Sequence, residues 1–305
     1  MAGNWTKITV TVNTRDLDRA AAVISMIDNG LMIEDYSDFS LNGMYGELVD
    51  DTILNADKGH AKISIFVPEE KNLIEYISFI ETGLANQNIS FTKELLGMEE
   101  ENWADSWKKY FKPIPLGRVT IVPAWEDYSA KEGEVIIKID PGMAFGTGTH
   151  ETTRLVMKIM QDVVTGGERV LDVGCGSGIL SICASKLGAA SVNAYDIDPV
   201  AVKVTKENAI TSGCGNITAG ISDLLYGVEK QVKGYDICVA NIVADIIIRM
   251  LPDIGGYLTK NAPIILSGIV SERADDIREA AAKNGYVVIR EERENDWVAL
   301  MIKRG

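Results

Sequence analysis

The stretch RVLDVGCGSGIL, residues 169–180, narrows the possible folds more than any other part of the chain. Val170, Leu171 and Val173 read as a short buried strand, and Gly174, Gly176 and Gly178 as a turn whose backbone passes close to a ligand; the residues that follow are read as a helix. The next apolar run, SVNAYD, ends on Asp196, 22 residues after Gly174. Strand, glycine turn, helix, strand and terminal acid is the order in which a parallel sheet offers free N–H groups to a ligand and a carboxylate to the two hydroxyls of a ribose. The dinucleotide pattern G-x-G-x-x-G is not met, because its last position is Ile179. The turn therefore predicts a cofactor that contains adenosine but no pyrophosphate, and it disfavours a nicotinamide-dependent oxidoreductase.

Strands and helices alternate on both sides of this unit. EVIIKIDPG reads as a strand, ETTRLVMKIMQDVV as a helix starting near Glu151, YDICVANIVADIIIRMLPDI as strand then helix, and APIILSGI with SERADDIREAAAKNG as a further unit. The last two strands, GYVVIREER and DWVALMIKR, are joined by a short polar link with no helix and must be antiparallel. The expectation is a doubly wound, Rossmann-like α/β sheet of seven strands with an antiparallel terminal hairpin. That combination resembles the class I S-adenosylmethionine-dependent methyltransferases, which implies S-adenosyl-L-methionine as cofactor.

Ahead of residue 95 the pattern is different. KITVTVNT, LMIEDYS, HAKISIFV and ISFTKELL read as strands, with helical spacing in DLDRAAAVISMIDNG and EEKNLIEYISFIETGLAN. The order β-α-β-β-α-β is the split βαβ, ferredoxin-like α+β arrangement, and without a phosphate loop or paired carboxylates it suits a binding module. Between the halves, Trp103, Trp107, Tyr110 and Phe111 form an aromatic stripe at helical spacing, ended by Pro113 and read as a linker helix packed between domains. The boundaries expected are 1–95 for the ferredoxin-like domain, 96–130 for the linker helix and connecting segment, and 131–305 for the cofactor-binding domain. A formal charge of −14 disfavours nucleic acid as a partner and suits a basic one, although acidic surfaces also serve solubility alone. Four scattered cysteines and two histidines signal neither a disulfide framework nor a metal site. With no basic-flanked apolar leader and no membrane-length apolar run, the protein is expected to be cytoplasmic, away from membranes, and monomeric.

The candidate site has two further parts. In DPGMAFGTGTHETT, Gly142, Gly146 and Gly148 permit close backbone approach, while Thr147, Thr149 and Thr153 offer hydroxyls, as a loop that folds over a cofactor and excludes water requires. His150 in that loop is open to two roles, a proton acceptor or a loop-ordering hydrogen-bond partner. In VANIVADI, Asn241 falls at the carboxyl edge of the sheet. Its amide can accept a hydrogen bond from a nucleophile and donate one to the cofactor; as a bland alternative it caps the following helix.

Taken together, NWADSWKKYFKPIPLG, DPGMAFGTGTHETT, LDVGCGSGIL, DIDPVAV, ANIVADII and LSGI resemble one bacterial family along nearly the whole chain, the methyltransferases that modify large-subunit ribosomal protein eleven. AFGTGTHETT is the most specific of these runs. The resemblance implies an N-terminal domain that recognises the ribosomal protein, a linker that lets the domains reorient, and methylation of lysine side chains and the N-terminal α-amine. It places cofactor contacts on Thr153, Gly174, Asp196 and Asn241, with Gly176 and Gly178 in the same turn. Phe145, Gly146, Thr147 and His150 fall in the loop over the methyl donor. Related enzymes that methylate a glutamine amide carry N-P-P-Y where this chain has NIVA, which argues against an amide substrate. The alternatives are a methyltransferase of the same fold with another substrate, and a non-catalytic assembly factor that holds the cofactor structurally.

Overall fold

The computed structural model describes residues 5–28, 30–37, 57–69, 71, 73–96, 112–140, 146 and 148–305. The chain divides into two compact units, Met1–Tyr110 and Phe111–Gly305. The first contains β1 (Trp5–Asn13), α1 (Leu17–Ser25), β2 (Met32–Glu34), β3 (His60–Pro68), α2 (Leu73–Asn86) and β4 (Phe91–Leu96). Its sheet runs β2-β3-β1-β4 with every pair antiparallel, the ferredoxin-like arrangement expected from the element order. Strand periodicity decides the faces. Ile8, Val10, Val12, Ile63 and Ile65 join Val23, Ile24, Ile77 and Leu84 of the helices in one core. The alternate residues carry Trp5, Phe66 and Leu96 exposed on the other face, around Lys7, which pairs with both Phe66 and Leu96 across the strands.

In the second unit β5 (Ile114–Leu116), β6 (Val119–Pro123) and β7 (Val135–Ile139) make a small sheet, β5 antiparallel to β6 and β6 parallel to β7. This differs from the expected connecting segment 96–130. All five residues of β6, VTIVP, are buried, and a run that is apolar on both faces needs cover on both faces, which an exposed linker does not provide. Residues 112–130 thus belong to the second unit; the aromatic helix lies outside the described residues.

The large sheet follows, in chain order α3 (Glu151–Val163), β8 (Arg169–Val173), α4 (Ile179–Lys186), β9 (Ser191–Asp196), α5 (Pro199–Thr211), β10 (Ile217–Ile221), β11 (Ile237–Asn241), α6 (Ala244–Ile254), β12 (Ile264–Val270), α7 (Ala274–Lys283), β13 (Tyr286–Glu294) and β14 (Trp297–Arg304). The strand order is β10-β9-β8-β11-β12-β14-β13. The first five are parallel, and β14 is antiparallel to both neighbours, as the helix-free final link demands. β10 went unread in the sequence because ITAGI is a five-residue edge strand with a glycine inside. Leu171, Cys238, Leu266 and Leu300 meet Ile247, Met250 and Ile277 of α6 and α7 in one core. α3 buries Leu155, Val156, Ile159 and Met160 and packs along β11, β12 and β14, at about 1.5–3 kcal/mol for each large aliphatic side chain removed from water. No helix among the described residues is long and apolar enough to cross a membrane.

Strand order reverses between β8 and β11, so their carboxyl ends open a crevice at one edge of the sheet. Gly268 shapes that edge from β12. It has φ +82° beside a register shift between Leu266 and Ile269, and a Cβ there would lie 2.5 Å from the carbonyl oxygen and 2.8 Å from the carbonyl carbon of Ile242. Backbone cannot move aside as a side-chain tip can. Gly268→Ala is expected to lower stability by roughly 2 kcal/mol or more and to displace the Asn241–Val243 exit. Chemical denaturation checks the first effect, and an unchanged midpoint would show that the turn has slack.

Candidate functional site

Gly174, Gly176 and Gly178 have φ of +77°, +51° and +82°, conformations that glycine adopts without strain. The turn is tied to the end of β9. The N–H groups of Gly174 and Cys175 donate to the Tyr195 carbonyl at 2.8 and 3.0 Å, and the N–H of Gly176 donates to Asp196 Oδ2 at 2.9 Å. Asp196 Oδ1 accepts the Asp198 N–H at 3.0 Å. Each oxygen keeps further lone-pair capacity, so this carboxylate is able to take the two hydroxyls of a ribose as well. Burial pushes the Asp196 carboxyl up, against the hydrogen bonds from Asp198 and Gly176. Gly178 caps α4 from the left-handed region, and a Cβ there would lie 2.9 Å from Thr205 Cγ2.

The opening loop rests on this turn. Phe145 and Thr147 lie outside the described residues, but the Gly146 carbonyl accepts from Ser177 Oγ at 2.5 Å. Gly148, φ +87°, brings the chain so near that a Cβ would lie 2.4 Å from Ile121 Cδ1 and 2.9 Å from Ile179 Cδ1. Asn208 of α5 joins the two segments, accepting the Asp140 N–H at 3.1 Å and donating to the Ser177 carbonyl at 2.8 Å. His150 is the N-cap of α3. Its Nδ1 accepts the Thr152 N–H at 3.3 Å and lies 2.9 Å from Thr152 Oγ1, while its ring meets the edge of Trp297 at 4.8 Å. Arg154 donates to Glu294 Oε1 at 2.6 Å and to the Thr149 carbonyl, so the β13–β14 tip braces the loop. Of the two roles left open for His150, the geometry of Nδ1 is that of the ordering hydrogen bond.

Asn241 ends β11. Its Nδ2 lies 3.2 Å from Thr152 Oγ1 and 3.4 Å from Thr153 Oγ1, and its Oδ1 is buried with no hydrogen-bond partner among the described residues. Two expectations change. The cap of α6 is Val243, two residues on, so capping does not explain Asn241. In this structure both amide hydrogens are directed to the α3 hydroxyls, so acceptance through Oδ1 is what the amide has left for a ligand, in place of the expected donation. A buried carbonyl without a partner costs about 1–3 kcal/mol, a deficit that calls for a ligand to complete it.

A sheet whose own strands run in the order 3-2-1-4-5-7-6, a glycine turn without a pyrophosphate position and an acid ending the second strand define a class I methyltransferase that uses S-adenosylmethionine. The chain matches the family described as "Ribosomal protein L11 methyltransferase (PrmA)" over residues 4–305. It belongs to that family. A ribosomal protein L11 methyltransferase from Streptococcus pyogenes serotype M18 is 39% identical, with 98% of this chain and 96% of that one aligned. Another, from Caldanaerobacter subterraneus subsp. tengcongensis, is 46% identical over 69% of this chain and 67% of that one. The crystal structure of a ribosomal protein L11 methylase from Lactobacillus delbrueckii subsp. bulgaricus superposes with a TM-score of 0.60 at 37% identity, covering 64% of this chain and 99% of that chain.

Sequence reasoning missed Thr152 and Ser267, whose hydroxyl donates to the Thr152 carbonyl at 3.2 Å, and it missed Asp172. A histidine followed two residues later by a hydroxyl at a helix start was the available sign of the first. Asp172 is fully buried in β8; Oδ2 accepts from Ser181 Oγ at 2.6 Å and Oδ1 has no partner among the described residues. Burial, with repulsion from Asp196, pushes its pKa up to about 7. A buried acid raised above its unfolded value, near 3.9, keeps a proton that the unfolded chain releases. Its contribution to stability is therefore full below about pH 4 and lost as pH rises through about 7. Asp172→Asn removes that loss. The unfolding free energy of the variant minus that of the wild type should rise by up to about 4 kcal/mol between pH 4 and pH 8, measured by urea denaturation of the free protein. A difference that stays flat with pH would mean that Asp172 is ionised throughout.

Proposed function

We propose that this protein transfers methyl groups from S-adenosylmethionine to amine nitrogens of ribosomal protein L11, at lysine side chains and at the N-terminal α-amine. The observation that carries this reading is the buried Oδ1 of Asn241, which has no partner among the described residues and is a neutral acceptor for one N–H at the sheet's carboxyl edge. S-adenosylmethionine supplies a methyl carbon bound to a positively charged sulfur, which an amine lone pair displaces. Asp196 would hold the ribose, and the turn at Gly174–Gly178 would let the backbone approach. Thr153 buries its hydroxyl beside Asn241, and the loop that ends at His150 would close the site from water. We assign residues 1–95 to recognition of L11, through the sheet face that carries Trp5, Phe66 and Leu96, and 96–130 to the connection expected from the sequence, of which 112–130 packs with the second unit. We place the protein in the cytoplasm as a monomer.

An attacking amine must be neutral. A lysine with an unperturbed pKa near 10.4 meets that condition at pH 7 at a cost of about 4.6 kcal/mol, and an α-amine near pKa 8 at about 1.4 kcal/mol. A buried site with an uncharged acceptor favours the neutral form, whereas a carboxylate in the same place would hold the ammonium. Positioning and desolvation then supply the catalysis, and a strong base is not required.

Intact-mass measurement of unmodified L11 incubated with this protein and S-adenosylmethionine should show whole-methyl increments, with peptide mapping locating them on lysines and the N-terminus. Unmodified L11 in the presence of confirmed S-adenosylmethionine binding would return the substrate question to the first unit. Asn241→Ala should abolish methylation while L11 binding persists, which separates an enzyme from a structural assembly factor. Asn241→Asp, equal in size, should move the pH–rate profile to higher pH by about one unit or more, because the added charge raises the pKa of the bound amine. An unshifted profile would show that Asn241 does not face the amine.

A further inference from the structure

Proton counting along one hydrogen-bonded chain gives the Asn241 amide a direction. His150 Nδ1 caps α3 by accepting the Thr152 N–H, so this nitrogen carries no proton. Thr152 Oγ1 lies 2.9 Å from the same nitrogen, and with Nδ1 unprotonated the hydroxyl donates its single proton there, sharing the Nδ1 lone pair with the Thr152 N–H. Its remaining lone pairs can only accept. The amide end of Asn241 at 3.2 Å from that oxygen must then be the NH2 end, and its second hydrogen is directed to Thr153 Oγ1 at 3.4 Å. With both hydrogens taken on the α3 side, Oδ1 is turned away from the helix, where it is buried and without a partner among the described residues.

We propose that Thr152 and His150 are positioning residues that fix the orientation of the Asn241 amide and so hold its carbonyl oxygen toward the attacking nitrogen. The assignment rests on the amine reading above. Thr152 touches neither substrate nor cofactor in this scheme; it acts through Asn241. The chain is built to be rigid. Thr152 is 1% exposed, its carbonyl accepts from Ser267 Oγ, and the His150 ring is seated against Trp297 of the terminal hairpin. An asparagine free to turn over would present an NH2 group to the incoming N–H for part of the time, and donor would meet donor.

The test compares wild type, Thr152→Val and Thr152→Ser. Valine matches threonine in shape and removes only the hydroxyl, whereas serine keeps it. For L11 methylation, Thr152→Val should lower kcat about 10- to 100-fold, with KM for L11 and the Kd for S-adenosylmethionine within about threefold of wild type, and Thr152→Ser should recover most of the rate. Loss of S-adenosylmethionine affinity in place of kcat, or a serine variant no better than valine, would overturn the assignment. A second readout needs neither substrate nor cofactor. In 15N-labelled free protein the side-chain amide hydrogens of Asn241 should exchange with solvent slowly in wild type and Thr152→Ser, and at least about tenfold faster in Thr152→Val. Equal exchange in all three proteins would show that the hydroxyl is not the acceptor and sink the proposal. Wild-type protein that leaves L11 amines unmethylated while the exchange pattern holds would instead overturn the substrate reading alone.

Discussion

Three consecutive N–H groups, those of Gly174, Cys175 and Gly176, all donate to the last two residues of β9. The rest of the site depends on this tie. A strand leaving a parallel sheet would ordinarily climb straight into its helix; here the chain is folded sideways over the neighbouring strand end, which requires left-handed backbone at three positions and therefore glycine. The turn and Asp196 thereby become one rigid piece. The opening loop is joined to it by Ser177, whose hydroxyl reaches the Gly146 carbonyl, and by Asn208, which bonds both segments.

Support for the other half of the site comes from the far end of the chain. The tip between β13 and β14 presents Glu294 to Arg154 and Trp297 to His150, contacts that span about 140 residues of sequence. An antiparallel pair inserted beside β12 makes this possible, since only a hairpin returns its turn to the edge where the parallel strands end. The same pair that distinguishes this sheet from other doubly wound folds thus braces the helix start that directs Asn241. Stability and orientation share one set of contacts.

How much of this was legible in the sequence follows from the range of each interaction. The glycine turn, Asp196 and the alternation of strands and helices are local patterns, and the structure places them as read. β5 and β6 fall within the connection that the sequence predicts, because they are too short to declare themselves and only their pairing with β7 reveals them. For Asn241 the sequence allows both capping and catalysis. A bend at Ile242 and the extended Val243 move the cap off it, and nothing in NIVA fixes that offset without the helix in view. The sequence pattern points to Thr153 and not to its neighbour Thr152, although the two hydroxyls share one amide; their joint role exists only once β11 and α3 are brought together. Asp172 reads as an ordinary strand residue until its burial is known.

Charge is divided across the site in a way the chemistry explains. Asp172 and Asp196 sit on β8 and β9, buried and raised in pKa, on the side to which we assign the ribose. At β11, where a nucleophile would enter, the polar atom is the carbonyl of an amide. An acid in that position would bind an amine more tightly but as its ammonium, with no lone pair to donate, so affinity would rise at the expense of rate. A neutral carbonyl binds the reactive form and leaves its proton balance to solvent. What it lacks in charge it must supply in direction, since an amide presents opposite faces to an N–H depending on a half-turn about one bond. The hydroxyls of Thr152 and Thr153 set that half-turn, which ties reactivity at the sheet's edge to the capping of a helix one residue chain away.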